Sequence, residues 1–458
     1  RRRQFAGMPA GDCVIANTWS AGGNLLSSTD STTGLVSLRR YDALGRVLEV
    51  AADTGGTTTV LIAHEYAPNG KPTLTRLLPD GKGASMLSRR FAYTPPGWPT
   101  VSDAGGVLRE ALAYDTGACE GGGYYNGEIA RQTVTSDVPG GSVGPACTTM
   151  DSLGQLTAFG SGADAQRWEI DLNGNFERHT RGADSAGYTY AAGTNRLTGY
   201  TAAQDTTTFA YDHAGGIVGA SDGAGATRWQ IGYDAGTGRP VSYAGPGASL
   251  SILRDADGNR AALTRTSGGA TTQRFQTSMP DGELVIDAAN GASTPTRFIA
   301  ALDVQVAWHD GRFYFALLDH LGSVRVLLDA SGETVGAWQY DVYGQPTVLV
   351  AAPFAWPRLF TGHNYDADSG FYDCNARFYH PGYGRYLSVD PMLETPSPYV
   401  YVGNNPLVFT DPSGMNVWGI IVGALVTLAV GVAGVLLLGT GIGAAILVGV
   451  VAGAVGSM

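Results

Sequence analysis

Short runs rich in Val, Ile, Thr, Tyr and Trp are broken by turns over most of the chain, and the turns share one pattern. An aromatic or aliphatic residue precedes an Asp, then come two or three small residues, then Gly. Tyr41-Asp42 to Gly45, Ile170-Asp171 to Gly174, Tyr211-Asp212 to Gly215 and Tyr233-Asp234 to Gly238 carry it in full. Met150-Asp151 to Gly154 and Arg254-Asp255 to Gly258 are looser versions, and Tyr66 to Gly70 lacks the Asp. The Asp carboxylate accepts a backbone N–H two residues on and starts a turn. Gly then takes positive φ without a Cβ penalty, and the flanking β-branched and aromatic residues pair across strands. Anchors near 170, 190, 211, 233 and 254 set a period of roughly 21, at the lower edge of the repeat-protein range. Such a unit is one β-hairpin with its link. A lone hairpin is marginal in water, so the units must stack side by side. The pattern predicts an all-β fold, a long antiparallel ribbon that coils. A β-sandwich or a propeller is the competing architecture.

The last zone breaks the pattern. Residues 415–458 contain no charge, and 417–438 are long and apolar enough for one membrane-spanning helix. Gly439-Thr440-Gly441 supplies a turn and 442–456 a shorter return helix, with Gly419/Gly423, Gly439/Gly443 and Gly449/Gly453 spaced for close helix packing. Trp418 suits a membrane interface. Three readings stand for this tail: a membrane-inserting element, a translocation helix leading to a segment further on, or a Gly-rich linker packed inside the fold. The chain opens at Arg1 with no apolar leader and stops abruptly at Ser457-Met458. Both ends therefore read as cuts in a longer protein.

Composition narrows the class. The 458 residues suggest about three domains at ~150 residues each. Gly at 66 and charge at 15% exclude a long-helix protein and a charge-rich disordered chain. The net charge of −11 argues against a bulk nucleic-acid binder. Cys13, Cys119, Cys147 and Cys374 form no zinc or redox spacing, which leaves the redox compartment open. No phosphate loop, zinc cluster or cofactor motif is present in the sequence.

Sharper motifs lie between 311 and 414. Residues 319–345 read DHLGSVRVLLDASGETVGAWQYDVYGQ, residues 360–391 read FTGHNYDADSGFYDCNARFYHPGYGRYLSVDP, and residues 399–414 read YVYVGNNPLVFTDPSG. With the Asp–Gly turns, these resemble the YD repeats and repeat-associated core of Rhs proteins, found in bacterial polymorphic toxins and in the C subunits of insecticidal Tc toxins. The resemblance is strong over about 311–414 and diffuse over 35–310. It divides the chain into a YD-repeat β shell (1–310), a core domain with a cleavage motif (311–414) and the start of a C-terminal toxin or translocation region (415–458). It implies a hairpin ribbon spiralling into a hollow cocoon that encloses the C-terminal segment and severs it by self-cleavage.

On that resemblance the cleavage motif is Pro406, four residues, then Asp411-Pro412-Ser413-Gly414, and the partner acid is Asp390 in Ser388-Val389-Asp390-Pro391. Two carboxyls suit the chemistry: one ionised to activate water, one protonated to assist at the carbonyl or the leaving amide. Close carboxyls share a proton because ionising both sets like charges side by side. Without the family pattern, both Asp-Pro pairs read as turn starters. The expected scissile bond is Met415–Asn416, with Gly414–Met415 the near alternative. Gly414 lets the backbone approach the acids, and Pro412 holds Asp411 extended. Arg377 and Arg385 are expected either to bind carboxylates and position the cleavage strand or to make structural salt bridges. His380 stands where the family usually has Asp and is given no catalytic role. A triad of Asp319, His320 and Ser323 is disfavoured because Ser323 lacks a nucleophile elbow. His363 and Asp366 are too sparse for a metal, Asn404-Asn405 reads as a turn, and cyclisation of Asn416 lacks a neighbouring base.

The leading function is thus a secreted or cell-surface toxin carrier whose enzymatic act is on itself. Its partners are its own C-terminal segment, an immunity protein, a secretion-system or Tc-type adaptor, and the target-cell membrane. The alternative is a YD-repeat adhesion or carbohydrate-binding surface protein anchored by its tail, which predicts an intact chain.

Overall fold

The computed structural model describes residues 2–3, 13–78, 85–114, 119, 127–393, 395–415 and 418–419. A 31-stranded antiparallel sheet runs from the strand Arg2–Arg3 to the strand Pro346–Val350. Each strand pairs with its successor, as Ala186 with Ala202, Gly199 with Thr208 and Thr207 with Asp222 do in turn. This is the predicted ribbon, rather than two packed sheets or a ring of blades. The pairing continues across residue 310, where the strand Val304–His309 meets the strand Arg312–Leu318. Among the described residues, the helices are three-residue 3-10 turns at Gly162–Asp164, Phe360–Gly362 and Val402–Asn404.

The repeating turn has a repeating cause. Asp42 Oδ1 accepts the Leu44 and Arg46 N–H groups, both at 2.9 Å, while Gly45 closes the turn at φ +77°. Asp151, Asp171, Asp255, Asp319 and Asp341 accept the N–H groups two and four residues on in the same way. The Tyr before the turn does more than pair across strands. Its hydroxyl reaches back across the ribbon: Tyr41 donates to Leu25 O, Tyr66 to Val47 O, Tyr190 to Phe176 O, Tyr211 to Leu197 O, Tyr233 to Ile217 O and Tyr340 to Val324 O. Each stitch pins the start of an earlier strand and contributes on the order of 1 kcal/mol.

The ribbon winds back on itself. Val50, Leu61, Ile62 and Leu108 pack against Ile299, Val306, Phe315 and Val326 from far along the chain. Buried ion pairs tie early strands to late ones: Asp30 to Arg297 at 3.6 Å and Arg89 to Asp303 at 3.2 Å. Residues 353–415 leave the ribbon and form a compact inner segment around a small sheet of Asn364–Asp366, Phe371–Asp373, Phe378–His380 and Arg385–Tyr386. This segment reads the row of turns. Asn405 donates to Gly154 O, Asn404 to Gly174 O, Tyr399 to Gly215 O and Tyr372 to Gly344 O. Phe371, Phe378 and Leu387 fill the face left by Trp229, Ile231 and Leu250.

Two expectations change here. The apolar helix expected from Val417 is not seen: Trp418–Gly419 is a short strand paired with Phe409–Thr410, and Val417 and 420–458 lie outside the described residues. No helix among the described residues is long and apolar enough to cross a membrane. Cys119 and Cys147, which no spacing rule linked, form a disulfide with Cα atoms 5.9 Å apart, while Cys13 and Cys374 are buried thiols.

Candidate functional site

The inner segment brings both acids of the cleavage motif to one guanidinium. Arg377 sits in the loop between the strands Phe371–Asp373 and Phe378–His380. Its Nη2 donates to Asp411 Oδ2 at 3.0 Å, its Nη1 lies 3.4 Å from Asp390 Oδ2, and its Nε donates to the Gly414 carbonyl at 2.5 Å. The guanidinium also lies 3.6 Å above the Tyr386 ring. All three charged side chains are buried. One planar cation therefore holds two carboxylates 21 residues apart in sequence, a task for the fixed fork of Arg.

Asp411 is further held by the Tyr386 hydroxyl, which donates to Oδ2 at 2.7 Å. Its Oδ1 accepts the Met415 N–H at 3.0 Å. The Gly414–Met415 peptide thus has its carbonyl on Arg377 and its N–H on Asp411. Gly414 is at φ +72°, and a Cβ there would lie 2.3 Å from the Cys374 carbonyl oxygen. Ala376 N–H donates to Ser413 O at 3.2 Å, which seats the motif on the loop 374–377. Pro406 opens the turn in which Phe409 N–H donates to Asn405 O. Pro412 lies in the turn closed by Gly414 N–H donating to Asp411 O. Asn416 lies outside the described residues. Asp390 Oδ1 accepts the Met392 N–H at 2.9 Å.

Arg385 is placed elsewhere. It donates to the Tyr190 hydroxyl at 2.7 Å and to Asn195 O at 3.2 Å, clamping the inner segment to the ribbon. His380 stacks on Tyr383 and accepts its N–H at Nδ1, the turn-capping part an Asp would play. Burial lowers its pKa to about 3, so the ring stays neutral. Tyr386 and the Cys374 carbonyl are the site residues that sequence reasoning passed over. Tyr386 lies in the aromatic-Arg run, but nothing local says that its hydroxyl turns toward Asp411. Among the described residues no cluster of His, Cys, Asp and Glu is able to hold a metal ion.

The Asp319–His320–Ser323 trio is not a triad. Ser323 Oγ accepts the Thr361 N–H. His320 Nδ1 pairs with Glu110 Oε1 at 2.7 Å and its Nε2 with Leu407 O at 3.0 Å, so both ring nitrogens face acceptors and both carry protons. Burial would push this pKa down, but Glu110 more than offsets it and raises it to about 9; the Glu110 carboxyl is brought to about 2. The imidazolium straps the ribbon to the strand leading into the cleavage motif. A group with a raised folded pKa stabilises fully below its unfolded value of ~6.5 and loses that contribution as pH rises through the folded one. From pH ~6.5 to above 9 the protein is expected to lose on the order of 3 kcal/mol that a His320→Gln variant does not lose. Parallel denaturant titrations of the two proteins across that range measure it, and superimposable pH profiles contradict it.

No family model matches the chain. Toxin protein Tse5 of Pseudomonas aeruginosa is 34% identical over 144 residues, 30% of this chain and 10% of that protein. The tRNA nuclease WapA of Bacillus subtilis strain 168 is 28% identical over 180 residues, 36% of this chain and 8% of that protein. Salivary gland surface protein 1 of Aedes aegypti is 36% identical over 126 residues, 26% of this chain and 4% of that protein. The chain spans a tenth or less of each of these three relatives. A solved structure of TcdB2-TccC3-TEV aligns with 89% of this chain and 28% of its own at 15% identity and a TM-score of 0.44, too low to establish a shared fold.

Proposed function

We propose that this chain is part of an Rhs-type toxin carrier, a wound β shell that encloses its own C-terminal segment and severs it by intramolecular aspartyl proteolysis. The observation that carries the reading is the single guanidinium of Arg377 bonded to Asp411, Asp390 and the Gly414 carbonyl. The match to a toxin protein and a nuclease, each over about a third of this chain, supports the same class. The disulfide Cys119–Cys147 suits an oxidising, secreted setting. The boundaries 1–310, 311–414 and 415–458 stand as the proposed division into shell, core and payload start. An immunity protein and a secretion-system or Tc-type adaptor are the partners that go with it.

The chemistry is a hydrolysis. Water adds through oxygen to the scissile carbonyl carbon while one carboxylate of the Asp390–Asp411 pair takes a water proton. The other, protonated, gives its proton to the leaving nitrogen as the C–N bond breaks. Arg377 stabilises the oxygen on which negative charge develops. The sequence register puts the cut at Met415–Asn416. The contacts on both ends of the Gly414–Met415 peptide favour that bond instead, with Asp411 beside the leaving nitrogen.

The test is a chain tagged at both ends and run on a denaturing gel as wild type, Asp390→Asn and Asp411→Asn. The wild type is expected in two pieces and each variant in one. Cleavage persisting in both variants overturns the aspartyl mechanism. A wild type that stays whole and partitions with membranes instead supports an anchored surface protein, the class suggested by the mosquito relative's name.

A further inference from the structure

The repeat turn after Arg254 departs from the Tyr-led ones, and the departure faces the cleavage site. At 41, 66, 190, 211, 233 and 340 the residue before the turn is a Tyr whose hydroxyl donates to a carbonyl 14 to 19 residues back. At 254 it is Arg. Arg254 keeps the stitch, donating through Nη2 to Pro240 O at 2.8 Å, 14 residues back. The guanidinium also does what a phenol there does not: Nη2 reaches Asp373 Oδ1 at 3.1 Å in the inner segment. Arg260, at the start of the next strand, donates through Nε to the other oxygen of Asp373 at 3.0 Å and grips Asp366 with both Nη atoms. These four side chains are buried together. Burial pushes the Asp373 carboxyl up, and Arg260 and Arg254 more than offset it, so it stays ionised.

Asp373 ends the strand that leads into the loop 374–377, which seats the cleavage motif. Its Oδ1 also accepts the Asn375 N–H at 2.9 Å. Cys374 follows, with its N–H bonded to Arg377 O at 3.0 Å and its carbonyl against Gly414. The loop ends at Arg377. The ribbon thus holds the strand end at one side of a four-residue loop whose last residue, Arg377, holds both acids.

We propose that Arg254 and Arg260 are positioning residues for self-cleavage, fixing through Asp373 the loop that seats Gly414 and aims Arg377. The inference rests on the self-cleavage reading and deepens it. The cut then waits for the ribbon strands Ala248–Arg254 and Arg260–Ser267 to dock on the inner segment, so that the chain severs its payload only after the shell has wound around it. Neither strand contributes an atom to the reacting groups. Their effect runs through geometry, where a misplacement of about 1 Å costs on the order of 10²-fold in rate.

The informative variant is Arg254→Tyr, which installs the residue of the Tyr-led repeats and with it the stitch to Pro240. Asp373→Asn is the second, keeping the shape while removing the charge. Each is translated in a cell-free system beside wild type, and intact mass is followed over time. Cleavage is expected to slow by roughly 10- to 100-fold in both, while the melting temperature of Arg254→Tyr stays close to wild type. In an Asp390→Asn background, which keeps all chains whole, hydrogen exchange at the Ala376 and Met415 amides is expected to speed up in Arg254→Tyr. Arg254→Tyr cutting at the wild-type rate, with unchanged exchange at those amides, overturns the positioning role and leaves self-cleavage intact. A wild type that never cuts overturns self-cleavage itself, and the positioning role with it.

Discussion

Arg377→Gln is expected to leave the chain in one piece and to lower its stability by about 3–5 kcal/mol, the cost of stranding buried charge. The substitution removes the cation from Asp390 and Asp411 together and frees the Gly414 carbonyl. Arg377→Lys separates the two effects. A lysine returns the charge but presents one ammonium where three separate nitrogens are used, so stability is expected to recover in part while cleavage does not. Denaturing mass and a urea titration on the same samples give both readouts. An Arg377→Lys chain cut at the wild-type rate contradicts the role given to the guanidinium fork.

Gly414→Ala is the second large effect. The residue sits at φ +72°, and its new Cβ would lie 2.3 Å from the Cys374 carbonyl oxygen, a backbone atom with nowhere to go. A left-handed conformation costs an L-residue roughly 1–2 kcal/mol before any clash is counted. Because the motif is a turn seated on the loop 374–377 and outside the ribbon, the ribbon is expected to fold and melt as before while the peptide lifts off Arg377 and Asp411. The expected result is an uncut chain with a near wild-type melting curve. Normal cleavage in this variant would mean that the seat on the loop 374–377 is not the reactive arrangement.

The ribbon was legible because its instructions are local. Asp42, Asp171 and Asp255 accept N–H groups within four residues, and Gly45, Gly174 and Gly258 supply the positive φ that a residue with a Cβ disfavours. The Tyr stitches were not legible, since a phenol reaching a carbonyl 14 residues back depends on how tightly the ribbon twists. At the site, Asp390, Asp411 and Gly414 were found through the resemblance, and the fold brings the first two together on Arg377. Arg377 and Arg385 look equivalent in sequence, eight positions apart in one aromatic run. They part because Arg377 lies in a loop facing the motif, whereas Arg385 lies on a strand facing Tyr190. His320 drew attention for a hydrolase chemistry it does not have; its partner Glu110 is 210 residues away and leaves no local trace. The expected helix from 417 rested on apolarity alone; Trp418–Gly419 pair as a strand with Phe409–Thr410, and 420–438 lie outside the described residues.

A folded chain that cuts itself beside Asp411 is expected to give, in intact-mass analysis of the wild-type protein under denaturing conditions, two masses that sum to the whole plus one water. The larger ends at Met415 if the sequence register holds, or at Gly414 if the contacts on that peptide mark the bond. A single uncut mass from fully folded protein, unchanged on long incubation, would contradict self-cleavage.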